Sequence, residues 1–244
     1  VPVTIEGAGV PLAVYESGAG PPILLVHDIG SDASDLAETA ARLADGARVI
    51  AYDRRGYGAS GAPALYAGTT VHEQAEDAAA VLRCAGGAPA IVAGAGFGAL
   101  VALDLATRHA SLVRAIALQD PPLFALVPEA TEALAADRQG LEEALRERGP
   151  ELAVERWLAD RAGPERRHRA QAAHRAFFAD IAGLATWPVT RGGLRAIGVP
   201  AIVLTTPEAP AHVIAAADAL AGLLPRVRRE HDGDLAAAAA ALLG

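Results

Sequence analysis

The chain has 244 residues, 52% of them apolar, and 21 basic against 29 acidic side chains give a net charge of −8. That suffices for one large domain or two small ones with a sizeable core, and the scattered Gly and Pro exclude a collagen-like chain. The acidic balance argues against nucleic acid as a partner. Cys84 is the single cysteine, which excludes an internal disulfide and makes a reducing, cytoplasmic compartment the expectation.

In chain order, short apolar runs predict strands at 3–6 and 12–16, close enough to pair antiparallel, and at 23–26. A helix at 32–43, a strand at 49–52, a helix at 71–84, a strand at 90–93, a helix at 99–109 and a strand at 115–118 follow. The alternation then breaks: 129–148, 151–162 and 164–181 are charge-rich and helix-like, with Pro150 and Pro164 at first-turn positions after Gly149 and Gly163. It resumes with a strand at 201–204, a helix at 211–223, a strand at 227–230 and a helix at 235–243. Strands alternating with helices predict an α/β fold, a mostly parallel, doubly wound sheet of about eight strands. Residues 121–192 read as a helical cap inserted into a core of 1–120 and 193–244, one structural domain. The uncharged stretch 85–103 has nearly the length of a membrane span, but its glycines and Pro89 break it into loop, strand, turn and helix.

The segment Gly94-Ala-Gly96-Phe97-Gly98-Ala99 sits between a strand and a helix and reads three ways. It fits a dinucleotide fingerprint, with pyrophosphate on the helix N-terminus and Asp120 as the ribose acid. It fits the G-x-S-x-G nucleophile elbow with Gly96 in the serine's place. The glycines also suit simple close packing of helix on strand. All 21 cations are Arg, so a Schiff-base lysine, a pyridoxal anchor and a P-loop lysine are excluded. No H-E-x-x-H or carboxylate cluster supports a metal, and no cofactor is expected.

The flanking pieces weigh on that choice. Leu24-Leu-Val-His27-Asp28-Ile29-Gly30 looks like an H-G-x-G loop after a third strand, and Asp53-Arg54-Arg55-Gly56-Tyr57-Gly58-Ala-Ser60 like a D-x-R-G-x-G-x-S turn after a fourth. With the insertion after Asp120-Pro121-Pro122 and His231 just past the last strand, the chain resembles the α/β-hydrolase family over nearly its whole length. The resemblance implies the α/β-hydrolase fold with a cap, and His231 as the catalytic histidine. It also implies an oxyanion hole shaped by His27, Ile29 and the Phe97 N–H, and Asp120 or Glu208 as the acid that orients His231.

The sequence departs from that pattern at the chemistry. Gly96 has no side chain, so no acyl- or alkyl-enzyme forms there. It fits a drift away from catalysis, a specialisation, or an inactivating substitution. Asp28 replaces a small loop residue: outward it caps the turn or pairs with Arg54, which turn propensity favours, and inward it becomes a candidate general acid. Phe124, Trp157, Phe177, Phe178 and Trp187 fall in or beside the cap, where they pack its helices or line an apolar pocket. Arg166-Arg167-His168-Arg169 reads as a solvated face.

Two functions remain. One is an enzyme for a small apolar ester or lactone, in which His231 deprotonates a water held in the space vacated at Gly96; the same groups also suit proton-transfer or cyclisation chemistry. The other is a catalytically silent relative that binds a ligand. The expected partner is a small hydrophobic molecule, with neither nucleic acid nor membrane, and a homodimer is left open.

Overall fold

Strands with no polar alternate position have two faces to bury, and the helices supply both covers. A computed structural model describes residues 2–127 and 130–244. Its strands are β1 (Val3–Glu6), β2 (Pro11–Ser17), β3 (Pro22–Val26), β4 (Arg48–Tyr52), β5 (Ala90–Ala95), β6 (Val113–Gln119), β7 (Ala201–Leu204) and β8 (Val227–Glu230). They form one eight-stranded sheet in the order β1-β2-β4-β3-β5-β6-β7-β8. β1 and β2 run antiparallel, β2 runs antiparallel to β4, and every other pairing is parallel.

Alternation along each strand divides the core. Leu24, Val26, Ile50, Val92, Ile116 and Val203 face α2 (Val71–Cys84), α3 (Phe97–Arg108) and α9 (Ala211–Ala221). Ile23, Leu25, Val49, Ile91, Ala117 and Ile202 face α1 (Ala37–Leu43) and α10 (Leu235–Ala241). Burying each such Leu, Ile or Val stabilises by roughly 1.5–3 kcal/mol. The uncharged stretch at 85–103 divides into loop, β5, a one-residue turn and α3. Among the described residues no helix is long and apolar enough to cross a membrane.

The insertion carries α4 (Ala130–Arg148), α5 (Pro150–Leu158), α6 (Pro164–Ala172) and α7 (His174–Thr186), then a short α8 (Arg191–Arg195). Glu129, the first residue of the expected helix at 129–148, lies outside the described residues. The helix expected at 164–181 is two helices, broken at Ala173 (φ −95°, ψ 23°). That break lets α7 lay the fully buried Phe177 and Asp180 against the core. The helix expected at 32–43 begins as a 3-10 turn, Ala33–Leu36, because Asp32 caps it by accepting from the Ser34 N–H. The helix expected from 99 begins two residues earlier, at Phe97, directly after the turn.

Candidate active site

Gly96 turns the chain from β5 into α3 at φ 52°, ψ −119°, a left-handed conformation that costs a non-glycine residue roughly 1–3 kcal/mol. Its N–H donates to the Gln119 carbonyl at 2.9 Å, which fixes the turn on β6. Gly98 is required by close approach, since a Cβ there would overlap the Val26 carbonyl at the end of β3. The glycine pattern thus aims the N-terminus of α3 at the loop after β3.

That loop carries Asp28. Its carboxylate points inward and occupies the volume of an elbow side chain: a Cβ on Gly96 would overlap Asp28 Oδ1 and come within 2.7 Å of Oδ2. The Phe97 N–H donates to Oδ1 at 2.9 Å. The expectation of a water in the vacated space is therefore corrected, because Asp28 fills it. The outward reading of Asp28 is corrected as well. A free N–H at a helix N-terminus and an empty glycine position draw an acceptor in. Of Asp28, Arg54 meets the carbonyl, at 2.9 Å. The carboxylate keeps 37% of its surface exposed and has Arg166 at 3.4 Å from Oδ2.

The rest of the loop is held from below. His27 Nδ1 lies 2.9 Å from the Asp28 carbonyl, and the Arg54 N–H donates to Nε2 at 2.9 Å, which assigns a neutral ring protonated on Nδ1. Burial, with the Arg54 cation beside it, holds His27 well below its ordinary pKa. The wholly buried Arg54 is paired with Asp180 of α7 through contacts of 2.7 and 3.1 Å. It also donates to Gln74 Oε1 at 2.7 Å and the His27 carbonyl at 3.0 Å, and stacks 4.8 Å from the Phe97 ring centroid. The Tyr57 hydroxyl donates to Asp180 at 2.7 Å and accepts from the Gly30 N–H at 3.3 Å. The Ile29 N–H makes no hydrogen bond among the described residues, whereas its carbonyl accepts from Arg166 at 2.8 Å.

Across the carboxyl end of the sheet, Ala95 pairs with Gln119, Gln119 with Leu204 and Leu204 with Glu230. The following residues, Gly96, Asp120, Thr205 and His231, therefore form a row. Asp120 adopts φ 47° and accepts from the Thr206 N–H at 3.0 Å and the Thr206 hydroxyl at 2.9 Å. Burial raises the Asp120 pKa, the Thr206 bonds pull it back, and the Asp28 charge raises it further. His231 stands three strand spacings from Gly96, about 14 Å along the sheet. It is exposed, and its ring makes no hydrogen bond or ion pair among the described residues. Glu208, in the turn after β7, is likewise exposed and without a side-chain bond among them. In this state neither carboxylate orients the histidine.

Of the five aromatics, Trp157, Phe177 and Phe178 pack together, while Phe124 and Trp187 have other partners. Phe177 is edge-on to Trp157 at 5.1 Å and to Phe178 at 5.4 Å, and it packs towards Gly30. Phe124 meets His212 at 5.3 Å. Trp187 donates Nε1–H to Asp104 at 3.0 Å, about 12 Å down α3 from the elbow. The solvated-face reading of 166–169 is corrected too. Arg166 donates to the Gly30 carbonyl at 3.1 Å, and Arg169 pairs with Asp32 at 2.7 Å and with Asp35. Together they bolt α6 onto the loop after β3. Asp180 was the residue most open to detection from sequence: a lone acid three positions after Phe177 lies on the apolar face of its helix. No local signal marks Arg166. Among the described residues no three His, Cys, Asp or Glu side chains form a group able to hold a metal.

Residues 21–234 match the family model described as the alpha/beta hydrolase fold. An uncharacterised hydrolase of Bacillus subtilis is 35% identical over 51% of this chain and 46% of its own length. The 2-(acetamidomethylene)succinate hydrolase of Mesorhizobium japonicum is 32% identical over 52% of this chain and 45% of its own. The chain thus spans under half the length of these curated relatives. A crystal structure of an alpha/beta hydrolase from Sphaerobacter thermophilus superposes with a TM-score of 0.77 at 27% identity, covering 99% of this chain and 98% of that one.

Proposed function

This chain belongs to the alpha/beta hydrolase family, and on that premise we propose that it hydrolyses a small, largely apolar ester or lactone by direct attack of water. The observation that carries the reading is the row of strand ends, with Gly96, Asp120 and His231 along one edge and the Asp28 carboxylate at its head. With glycine at the elbow the attacking oxygen comes from water, and the Ile29 N–H, which makes no hydrogen bond among the described residues, is a backbone donor for the carbonyl oxygen. His231 stands exposed at the far end of the row. Serine chemistry has little support: Ser31 donates to Asp35, Ser34 to Asp32 and Ser60 to the Asp53 carbonyl.

One observation favours the second reading, a ligand-binding protein without turnover. The Phe97 N–H, which would stabilise a substrate oxyanion, is already engaged by Asp28. Turnover of short p-nitrophenyl esters and small lactones by the purified protein, with calorimetric binding of the same compounds, decides between the two. Hydrolysis without fluorophosphonate labelling of any serine is expected. Binding with no turnover would replace the hydrolytic reading by the second.

A further inference from the structure

We propose that the Asp28 carboxylate is the general base of this site, a catalytic group carried by the loop after β3 instead of the elbow. The inference rests on the hydrolytic reading above. Three observations place the group. It occupies the volume that a Gly96 side chain would take. Oδ1 is anchored by the Phe97 N–H at 2.9 Å. Among the described residues Oδ2 has only the longer Arg166 contact, at 3.4 Å, and the side chain is 37% exposed, so water reaches it.

The loop that carries Asp28 is rigid where a base needs it to be. Its backbone is bonded by His27, Arg54, Tyr57 and Arg166, so the carboxylate stays in place without a side chain at position 96. In the reaction, the water oxygen attacks the carbonyl carbon while Oδ2 takes one of its protons. The tetrahedral intermediate then breaks its bond to the alkoxy oxygen, and that oxygen departs with the proton from Oδ2. Acid and alcohol are released, and Asp28 returns to its ionised form with no covalent enzyme intermediate.

Asp28→Asn separates position from proton transfer, because its amide oxygen can still accept from the Phe97 N–H and fill the elbow. The expected result on an ester that the wild type hydrolyses is a loss of about 100-fold or more in kcat with KM within about threefold. In Asp28→Gly, added formate should restore turnover in a concentration-dependent way by supplying a carboxylate to the opened space. A single turnover in H218O should place the label in the product acid. Asp28→Asn activity within about threefold of wild type, or label in the Asp28 peptide, would overturn the proposal, the latter by making Asp28 a nucleophile. If Asp28→Asn does not fold, formate recovery in Asp28→Gly supports the proposal and its absence overturns it. No wild-type turnover on any ester or lactone would remove the hydrolytic reading itself, and this base with it. Turnover that survives Asp28→Asn would remove Asp28 alone.

Discussion

At position 96 a side chain and the Asp28 carboxylate compete for one volume. Gly96→Ser therefore adds overlap with Asp28 to the cost of a left-handed backbone, and a destabilisation of roughly 1–3 kcal/mol is expected from the backbone alone. In the Asp28→Gly background the same change should cost about 1 kcal/mol less or better, a non-additivity read by urea unfolding of the four variants. Additive costs would mean that the two residues do not share the space. His27 supplies a pH test at the same scale. Its pKa is lowered below the ordinary 6.5, so the unfolded chain binds the extra proton first. Stability is present above pH 6.5 and is lost as pH falls from there through the folded value, with a slope of up to about 1.4 kcal/mol per pH unit. His27→Gln, which keeps one donor and one acceptor, should flatten that acid limb in urea unfolding measured between pH 7 and 5.

The elements meet through buried polar groups as well as through apolar contact. α7 reaches the turn after β4 by the Arg54–Asp180 pair, both side chains fully buried, while α6 reaches the loop after β3 by Arg166 and Arg169 on the half-buried surface. These two connections differ in worth. Asp180→Ala leaves a guanidinium buried without its partner and should cost about 3–5 kcal/mol in urea unfolding. Arg169→Ala breaks two partly exposed pairs, to Asp32 and Asp35, and should cost less, about 1–2 kcal/mol. Equal effects would mean that α7 gains nothing from its buried pair. Because Arg54 also holds the carbonyls of His27 and Asp28, Asp180 positions that loop from α7 without touching it.

On the scale of the molecule, the helices between β6 and β7 share one network with the sheet and its loops and should unfold with them. Both tryptophans, Trp157 and Trp187, lie between β6 and β7, so their fluorescence reports that helical segment, while far-UV circular dichroism reports the whole. Coincident thermal transitions are expected from the two probes. A fluorescence transition that precedes the loss of helix and strand would make that helical segment a separately melting unit.

The alternation of apolar runs and amphipathic helices was sufficient by itself to specify the parallel sheet, because a strand buried on both faces leaves no other covering. All eight predicted strands are present, and the glycine pattern 94-96-98 marked the turn at the end of β5, since backbone approach and left-handed geometry are properties of single positions. The family landmarks around His27, Asp53 and His231 were also legible in chain order. What the side chains do there was not. The inward direction of Asp28 depends on an N–H donated from α3, 69 positions along the chain, the burial of Arg54 on an acid 126 positions away, and the hold of α6 on the loop on pairs up to 138 positions apart. No local pattern encodes such partners. A rotamer is chosen by the donors, acceptors and open volume that meet it after the chain has closed, so tertiary structure alone decided that the missing elbow side chain is replaced by the carboxylate of Asp28.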